Sequence, residues 1–425
     1  MKTTRFFFAS IIIICTACLF KKACGQEPKL MAGTAKVNIT PTDQGPVHDS
    51  LYARSLVLEV SGTRIAFVSL DLIGYTNENL IGVCKKKYKI DQLYFCPSHT
   101  HSGASTRKNP AFFEEKIAKA LDIAVNNMFQ SRISAGYREF PQLGFNRLII
   151  RDDGHAREPW FYDDHYLLIN KERIPFGPVD PEVGIIKLED MKGQPRAFIM
   201  NYACHPDAVW GNYKLSADWA GVATRLIEEA YGKKLNCLFI QGGAGNIAPL
   251  FKDPGRNGAD DPRETDYSLI ERMGKLLSIE AVKLAHSLRS EPDDTADIRF
   301  INDSLLFTGR FDKTAGFNVN FSTILINKRI IIATFPGEPF IKFQLDWKKE
   351  VVDATPFFFG YTWQHGRWAT YVPDIRSSAL GGYGVDMGPT LIEVGAGEAI
   401  MNRQLANFYR LNGLMRSQPG PTGFK

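Results

Sequence analysis

Ser55-Leu56-Val57-Leu58-Glu59-Val60-Ser61-Gly62-Thr63-Arg64-Ile65-Ala66-Phe67-Val68-Ser69-Leu70 decides the fold class. Two runs of aliphatic and β-branched residues flank Ser61-Gly62, a pair suited to a tight turn, so the segment predicts an antiparallel hairpin. A hairpin argues against a regular parallel βαβ array, whose strands need long crossovers. Working outward, Lys29 to Pro41 reads as a strand closed by Thr40-Pro41-Thr42, and Gln92 to Cys96 as another. Asn109-Pro110 supplies a cap and a first-turn proline for a helix over Ala111 to Met128. Residues 138–184 are rich in proline, glycine and aromatics and read as a long loop region. Val183 to Leu188 and Arg196 to His205 read as strands about a turn at Lys192-Gly193. Ala217 to Tyr231 reads as a helix with Ser216 or Asp218 near its cap. Leu235 to Gln241 reads as a buried strand and Asp266 to Leu288 as a helix. Three strands across 296–335 and helices over Pro339 to Val352 and near Gly397 to Leu414 complete the pattern. The expectation is an α+β or mixed α/β protein, with mixed β-sheets flanked by helices in a single large domain over residues 26–425.

The 425 residues are 44% apolar and 23% charged, a balance that excludes collagen-like, low-complexity and multi-span membrane classes. No repeat of fixed period suggests a solenoid or propeller. The formal charge of +5 belongs mostly to residues 1–25, which hold Lys2, Arg5, Lys21 and Lys22 and no acid. The remainder is nearly neutral and gives no sign of the dense basic face that nucleic acid requires. Within 1–25, Phe6 to Phe20 is an apolar core behind a positive start, too short for a membrane span, and Ala23-Cys24-Gly25 offers a cut before Gln26. The expectation is a signal peptide and export to a periplasm, cell surface or medium, with Cys18 as an alternative lipid-anchor site. Cys84, Cys96, Cys204 and Cys237 then remain, with no Cys-x-x-Cys spacing, and each reads as a small buried apolar residue.

Four constellations carry chemistry. Ser98-His99-Thr100-His101-Ser102-Gly103 follows the strand ending at Cys96. Extended backbone there would put His99 and His101 on one face, where imidazoles serve as metal ligands or as surface hydrogen-bonders. His205 in Asn201-Tyr202-Ala203-Cys204-His205-Pro206 ends an apolar strand and can emerge into a cleft, with Cys204 facing away. Glu338 in Phe335-Pro336-Gly337-Glu338-Pro339 stands at a strand end before a helix, as a dipole partner or as an oxygen ligand. Gly242-Gly243-Ala244-Gly245-Asn246-Ile247-Ala248-Pro249 formally fits a dinucleotide fingerprint. Pro249 and Asp253-Pro254-Gly255 oppose the helix such a site needs, so a glycine turn allowing close backbone approach is the better reading. G-x-S-x-G is absent, while Ser105-Thr106-Arg107-Lys108 matches S-x-x-K, although the predicted helix begins after it.

In order and spacing these segments resemble the N-terminal catalytic domain of the neutral/alkaline, non-lysosomal ceramidase family. The carrying residues are Ala32 to Pro41, His99 to Gly103, Asn146-Arg147, Asn201 to Pro206, Ser216-Ala217-Asp218, Gly245 to Pro249, Pro336-Gly337-Glu338, Tyr371-Val372-Pro373 and Gly381-Gly382-Tyr383. The resemblance implies a zinc-dependent amidase that cleaves the N-acyl bond of ceramide, or of a related N-acyl compound, by a zinc-activated water. It implies Zn2+ held by His99, His205, Glu338 and Tyr371, with His101, Arg147 and Tyr383 near the scissile amide. It further implies a lipid or small-molecule N-acyl substrate and peripheral membrane contact. The chain departs from the family pattern at Asn38, at Asn246-Ile247-Ala248, and at Gly384 after Tyr383. The resemblance further leads to the expectation of a short form without the C-terminal immunoglobulin-like domain of longer ceramidases. Ala248 and Gly384 motivate one alternative, a non-catalytic lipid- or glycan-binding protein on the same scaffold. Ser105 and Lys108 motivate the other, a serine hydrolase.

Overall fold

The structure, a computed structural model, describes residues 27–140, 143–157, 177–210, 212–232, 234–252, 264–290, 296–386 and 390–416. The expected signal peptide, with Cys18 and Cys24, and the middle of the loop-rich segment lie outside the described residues.

The strands in chain order begin with β1 (Met31–Asn38), β2 (Tyr52–Val60), β3 (Thr63–Leu70), β4 (Gln92–Pro97), β5 (Phe129–Glu139) and β6 (Gly144–Asn146). They continue with β7 (Ile149–Ile150), β8 (Ala156–Arg157), β9 (Glu182–Asp190), β10 (Pro195–Tyr202), β11 (Asn236–Gln241) and β12 (Ile247–Pro249). The last are β13 (Ile298–Thr308), β14 (Gly316–Ile326), β15 (Ile330–Thr334), β16 (Glu338–Pro339), β17 (Thr355–Phe359) and β18 (Tyr371–Val372). The helices are α1 (Glu78–Tyr88), α2 (Pro110–Asn126), α3 (Asp218–Ala230), α4 (Ser268–Ser287), α5 (Ile341–Glu350), α6 (Ile375–Leu380) and α7 (Ala396–Leu411).

The expected hairpin is present: β2 and β3 pair antiparallel from Val60↔Thr63 to Ala53↔Leu70. It sits in an eight-stranded sheet ordered β11-β10-β9-β5-β1-β2-β3-β4, in which β3/β4 and β10/β11 are parallel pairs. A second sheet, β13-β14-β15-β17, also ends in a parallel pair, β15/β17. Both sheets are mixed, as expected.

Side-chain alternation explains how they stack. Leu56, Leu58, Ile65 and Phe67 face one way and meet Ile324, Ile330, Ile332, Phe357 and Phe359 of the second sheet in a shared core. The intervening Val57, Ala66 and Val68 face the other way and bury Phe113, Ile117 and Leu121 of α2. On the same side, β9–β11 carry α3 and α4 through Phe198, Phe239, Trp219 and Met273. Behind the second sheet, Leu325, Ile331 and Phe358 hold Phe343 and Trp347 of α5 and Ile400 and Phe408 of α7. The result is helix, sheet, sheet, helix. Strands covered on both faces need near-continuous apolar sequence, which these have. Each fully buried Leu, Ile or Phe contributes about 1.5–3 kcal/mol.

Local signals set the helix ends. Asn109 Oδ1 accepts from Phe112 N, with Pro110 in the first turn of α2, as its sequence predicts. Among the elements not predicted from the sequence are α1, β5 and β17. α1 is capped by Asn77 through Leu80 N, but its Gly82 and Lys85-Lys86-Lys87 obscure an apolar stripe. β5 mixes Gln130, Ser131, Arg132 and Ser134 with its apolar residues, and β17 is only five residues long. The strand expected to reach His205 stops at Tyr202, three residues earlier. Cys84, Cys96, Cys204 and Cys237 are buried, as read from the sequence, and none of them is paired.

Candidate functional site

The site lies beyond the carboxyl ends of the strands that pair in parallel, β4, β10, β15 and β17, where a sheet leaves a crevice. β4 ends at Pro97. Ser98 N then donates to Leu70 O (2.8 Å) and His99 N to Leu72 O (2.9 Å). His99 adopts φ 71°, a left-handed conformation that costs a non-glycine residue of order 1 kcal/mol. Extended backbone would put His99 and His101 on one face. They do share a site, but through this turn and not through strand periodicity. His101 N donates to Pro206 O (3.1 Å), which ties the segment to the loop after β10. His205 N donates to Ile247 O (3.0 Å) in β12. Cys204 packs away from the site in the core beneath α3, as expected.

The three imidazoles converge. Ring centroids are 5.0 Å apart for His99 and His101, 5.1 Å for His99 and His205, and 5.8 Å for His101 and His205. Their nearest nitrogens all lie within 4.8 Å of one another, close enough to hold a metal ion. Glu338 joins them from β16, which pairs in parallel with β18 and sets Glu338 opposite Tyr371. Its Oε2 stands 3.4 Å from both His99 Nε2 and His205 Nε2.

The protonation pattern follows from the partners. His99 Nδ1 lies 2.7 Å from Ile73 O, and His205 Nδ1 lies 2.7 Å from Ala244 O. A carbonyl only accepts, so each Nδ1 carries the hydrogen and each Nε2 presents a lone pair in the neutral ring. His205 Nε2 and Glu338 Oε2 are buried with no hydrogen-bond partner. Leaving such atoms unsatisfied costs about 1–3 kcal/mol each. Burial, reinforced by the charge of Arg147, lowers the His205 pKa. Burial would raise Glu338, but the imidazoles of His99 and His205 outweigh it and hold the carboxyl well below its ordinary range. This donor set, two backbone-oriented imidazoles facing one ionised carboxylate, fits a divalent ion such as zinc. His101 is open to solvent on one side and walled by protein on the others. Burial, then His99, lowers its pKa to about 3.

Around this centre stand the other expected residues. Arg147 follows β6, which pairs with β12. Its Nη2 donates to Gly245 O (2.6 Å) and to Tyr371 Oη (3.0 Å). The guanidinium also lies 4.5 Å from the Tyr383 ring centre, and Tyr383 meets Tyr371 edge to face at 5.7 Å. Burial, then Glu338, pushes the Tyr371 phenol well above its usual pKa. The Tyr371 ring lies 6.5 Å from that of His205. All seven expected residues thus gather in one place.

Two neighbours escaped the sequence reading. Tyr361, two residues past β17, has its ring 4.6 Å from His99 and 6.0 Å from His205. Its only cue in the sequence is an aromatic after Phe357-Phe358-Phe359-Gly360, which reads as core. Asp207 is buried and bonded to Lys252 Nζ (2.6 Å). Burial opposes its ionisation, but Lys252, His101 and His205 prevail and hold its pKa far down. Asp207 directly follows Pro206, whose carbonyl anchors His101 N in the loop after β10.

The glycine loop approaches protein backbone. A Cβ on Gly245 would stand 2.4 Å from Glu338 O, and Gly245 N donates to Pro339 O (2.9 Å). Asn246 Oδ1 accepts from Ile341 N at the start of α5 (2.9 Å). Ser105 and Lys108 stand exposed before α2, outside this cluster.

The chain matches no protein-family model and no curated protein. Among solved structures, neutral ceramidase from Pseudomonas aeruginosa aligns with a TM-score of 0.69, at 15% identity, over 92% of this chain and 76% of that one. A ceramidase complexed with C2 aligns with a TM-score of 0.70, at 15% identity, over 92% and 77%. The fold is that of a neutral ceramidase. Within this ceramidase fold the departures have local consequences. Gly384 has φ 77°, and its Cα side faces Tyr371, whose Cδ1 a Cβ would meet at 3.1 Å. A larger residue there would crowd that ring. Ala248 is fully buried in β12 against Phe145 and offers no hydroxyl. Asn38 Oδ1 accepts from Thr40 N (2.8 Å), a local turn.

Proposed function

We propose that this chain is an exported, zinc-dependent hydrolase of N-acyl amides, ceramidase-like, with residues 26–425 acting as one catalytic domain. The observation that carries the reading is the meeting of His99 Nε2, His205 Nε2 and Glu338 Oε2 at 3.4 Å, with both imidazoles locked by backbone carbonyls. His99, His205, Glu338 and Tyr371 would hold the zinc. When bound, zinc supplies a water of lowered pKa and polarises a carbonyl.

This chain's own residues do the rest. His101, kept neutral by its surroundings, is in the form that accepts a proton, and it can pass that proton to the leaving nitrogen. Arg147 and Tyr383 donate hydrogen bonds where the carbonyl oxygen gains charge. The water oxygen bonds to the acyl carbon, the C–N bond breaks and the nitrogen takes the proton, giving a carboxylic acid and an amine. No side-chain nucleophile is required, so Ala248 and the exposed Ser105 are compatible with the chemistry. Nucleic acid has no place in it.

The substrate class we favour is a lipid N-acyl amide such as ceramide, met at a membrane surface. Supporting this, Leu306 (77% exposed), Phe311 (68% exposed), Ile375, Leu391 and Val394 are exposed large apolar side chains. Backbone and side-chain bonds join their segments: Arg310 N donates to Leu391 O, and Arg310 reaches Ser378 of α6. Arg310, Lys313 and Arg376 on the same segments would complement anionic headgroups. α6 lies in the chain between Tyr371 and Tyr383, which links this surface to segments that carry the site.

The test is hydrolysis of ceramides and simpler N-acyl amines, with product analysis by mass spectrometry, before and after chelation. Chelation should abolish turnover and added zinc should restore it. His205→Ala should lose zinc, whereas His101→Ala should keep zinc and lose turnover. Undiminished hydrolysis by metal-free protein would sink the reading.

A further inference from the structure

We propose that Tyr361 is a further catalytic residue, whose phenol hydroxyl donates a hydrogen bond to the carbonyl oxygen of the bound acyl compound. The inference rests on the metal-centre reading above and extends it to a residue that reading did not use.

Three observations carry it. First, Tyr361 is fully buried, and its hydroxyl has no hydrogen-bond partner. An unsatisfied buried hydroxyl is destabilising, and a phenylalanine at this position would keep the packing without that penalty. Second, the Tyr361 ring stands beside His99 and His205, at the centre where His205 Nε2 and Glu338 Oε2 are likewise buried without a hydrogen-bond partner. The ring is tilted over His99 at 4.6 Å and stands edge to face with His205 at 6.0 Å. Burial, then the neighbouring Glu338 carboxylate, pushes its phenol well above the usual pKa. Three buried polar atoms without partners around one centre call for a polar occupant, and the phenol is a donor while the other two are acceptors. An oxygen that accepts from Tyr361 answers that need.

Third, the backbone is held in place for the purpose. Tyr361 adopts φ 56°, a conformation that Tyr occupies at a cost, as do His99 (φ 71°) and Thr370 (φ 57°), which precedes Tyr371. Tyr361 N donates to Gly337 O (3.0 Å), next to Glu338. Thr362 N donates to Phe335 O (3.1 Å), and Glu338 N to Thr370 O (2.7 Å). β15 and β17 run parallel and end together, so Glu338 and Tyr361 project from adjacent strand ends. On this arrangement Tyr361 approaches from the His99 side, while Arg147 and Tyr383 approach from the Tyr371 side. The carbonyl oxygen is thereby bracketed by donors from two directions.

Tyr361→Phe removes the hydroxyl and keeps the ring and the backbone constraint. Zinc content would be read by elemental analysis, and calorimetry would give the affinity of zinc-loaded protein for dodecylphosphonamidate, whose tetrahedral P–O⁻ replaces the amide carbonyl. The expected result is unchanged zinc content and a melting temperature that does not fall. The phosphonamidate affinity should fall roughly 10- to 100-fold, the range for a hydrogen bond to a charged group. kcat on an N-acyl amide should fall in parallel with little change in KM. Unchanged phosphonamidate affinity overturns the assignment, and so does loss of zinc, which would make Tyr361 a ligand. Wild type that binds zinc and the phosphonamidate yet cleaves no amide refutes the proposed hydrolysis alone. Wild type that binds no zinc overturns both.

Discussion

Gly245→Ala should damage the site from behind. The added Cβ would lie 2.4 Å from Glu338 O, 2.8 Å from Phe340 Cδ1 and 3.0 Å from Pro339 O. Two of these atoms are backbone and cannot rotate away. Relief requires β16 to move by several tenths of an ångström, and β16 carries Glu338. The same shift strains the Gly245 N to Pro339 O bond and the Arg147 Nη2 contact with Gly245 O. Overpacking of this kind costs about 1–3 kcal/mol. A displacement approaching 1 Å at a catalytic group can cost on the order of 100-fold in rate. Gly82→Ala is the matched control, because a Cβ there meets nothing within 4 Å on α1. It should stabilise the protein by roughly 0.5–1 kcal/mol, as alanine does in a helix interior. Denaturant unfolding and a zinc-competition titration would be run on both variants. If Gly245→Ala matched wild type in stability and zinc affinity, the tight packing of the glycine loop on β16 would not govern the position of Glu338.

Two more outcomes follow from other parts of the molecule. Burial raises the Asp218 carboxyl to about 7, against opposing hydrogen bonds from Trp219 N and Val209 N. An acid with a raised folded pKa favours the folded state while protonated, and that advantage is lost as pH rises from the unfolded value of about 4 through about 7. Asp218→Asn should therefore flatten the fall in stability across that window, as read by denaturant midpoints at stepped pH. Replacing Leu306 and Phe311 together by serine should weaken cosedimentation with anionic phospholipid vesicles, while hydrolysis of a short soluble N-acyl amine stays unchanged. Equal vesicle binding by the variant would remove this surface from the membrane reading.

Much of the fold was readable because its signals are local. The hairpin of β2 and β3 needs only alternation and Ser61-Gly62, and α2 needs only Asn109-Pro110 and an apolar stripe. β5 escaped because Gln130, Ser131, Arg132 and Ser134 break the pattern in a strand stabilised by its neighbours β1 and β9. The residues at the strand ends were visible for a similar reason: His99, His205 and Glu338 are polar groups set just after apolar runs. Tyr361 was not, because an aromatic after three phenylalanines carries no sign that its hydroxyl lacks a partner.

The sequence alone determined the periodicities, the caps and the kinds of ligand atom on offer, since these depend on neighbours a few residues away. Only the tertiary structure decided that His99, His205 and Glu338, more than 100 residues apart in successive steps, place their ligand atoms within 3.4 Å of a common carboxylate oxygen. It alone decided which imidazole nitrogen is bare, because that depends on the carbonyls of Ile73 and Ala244. Such distances arise from two sheets packing face to face and bringing the ends of separate strands together, a consequence of burial across the whole chain that no short stretch encodes.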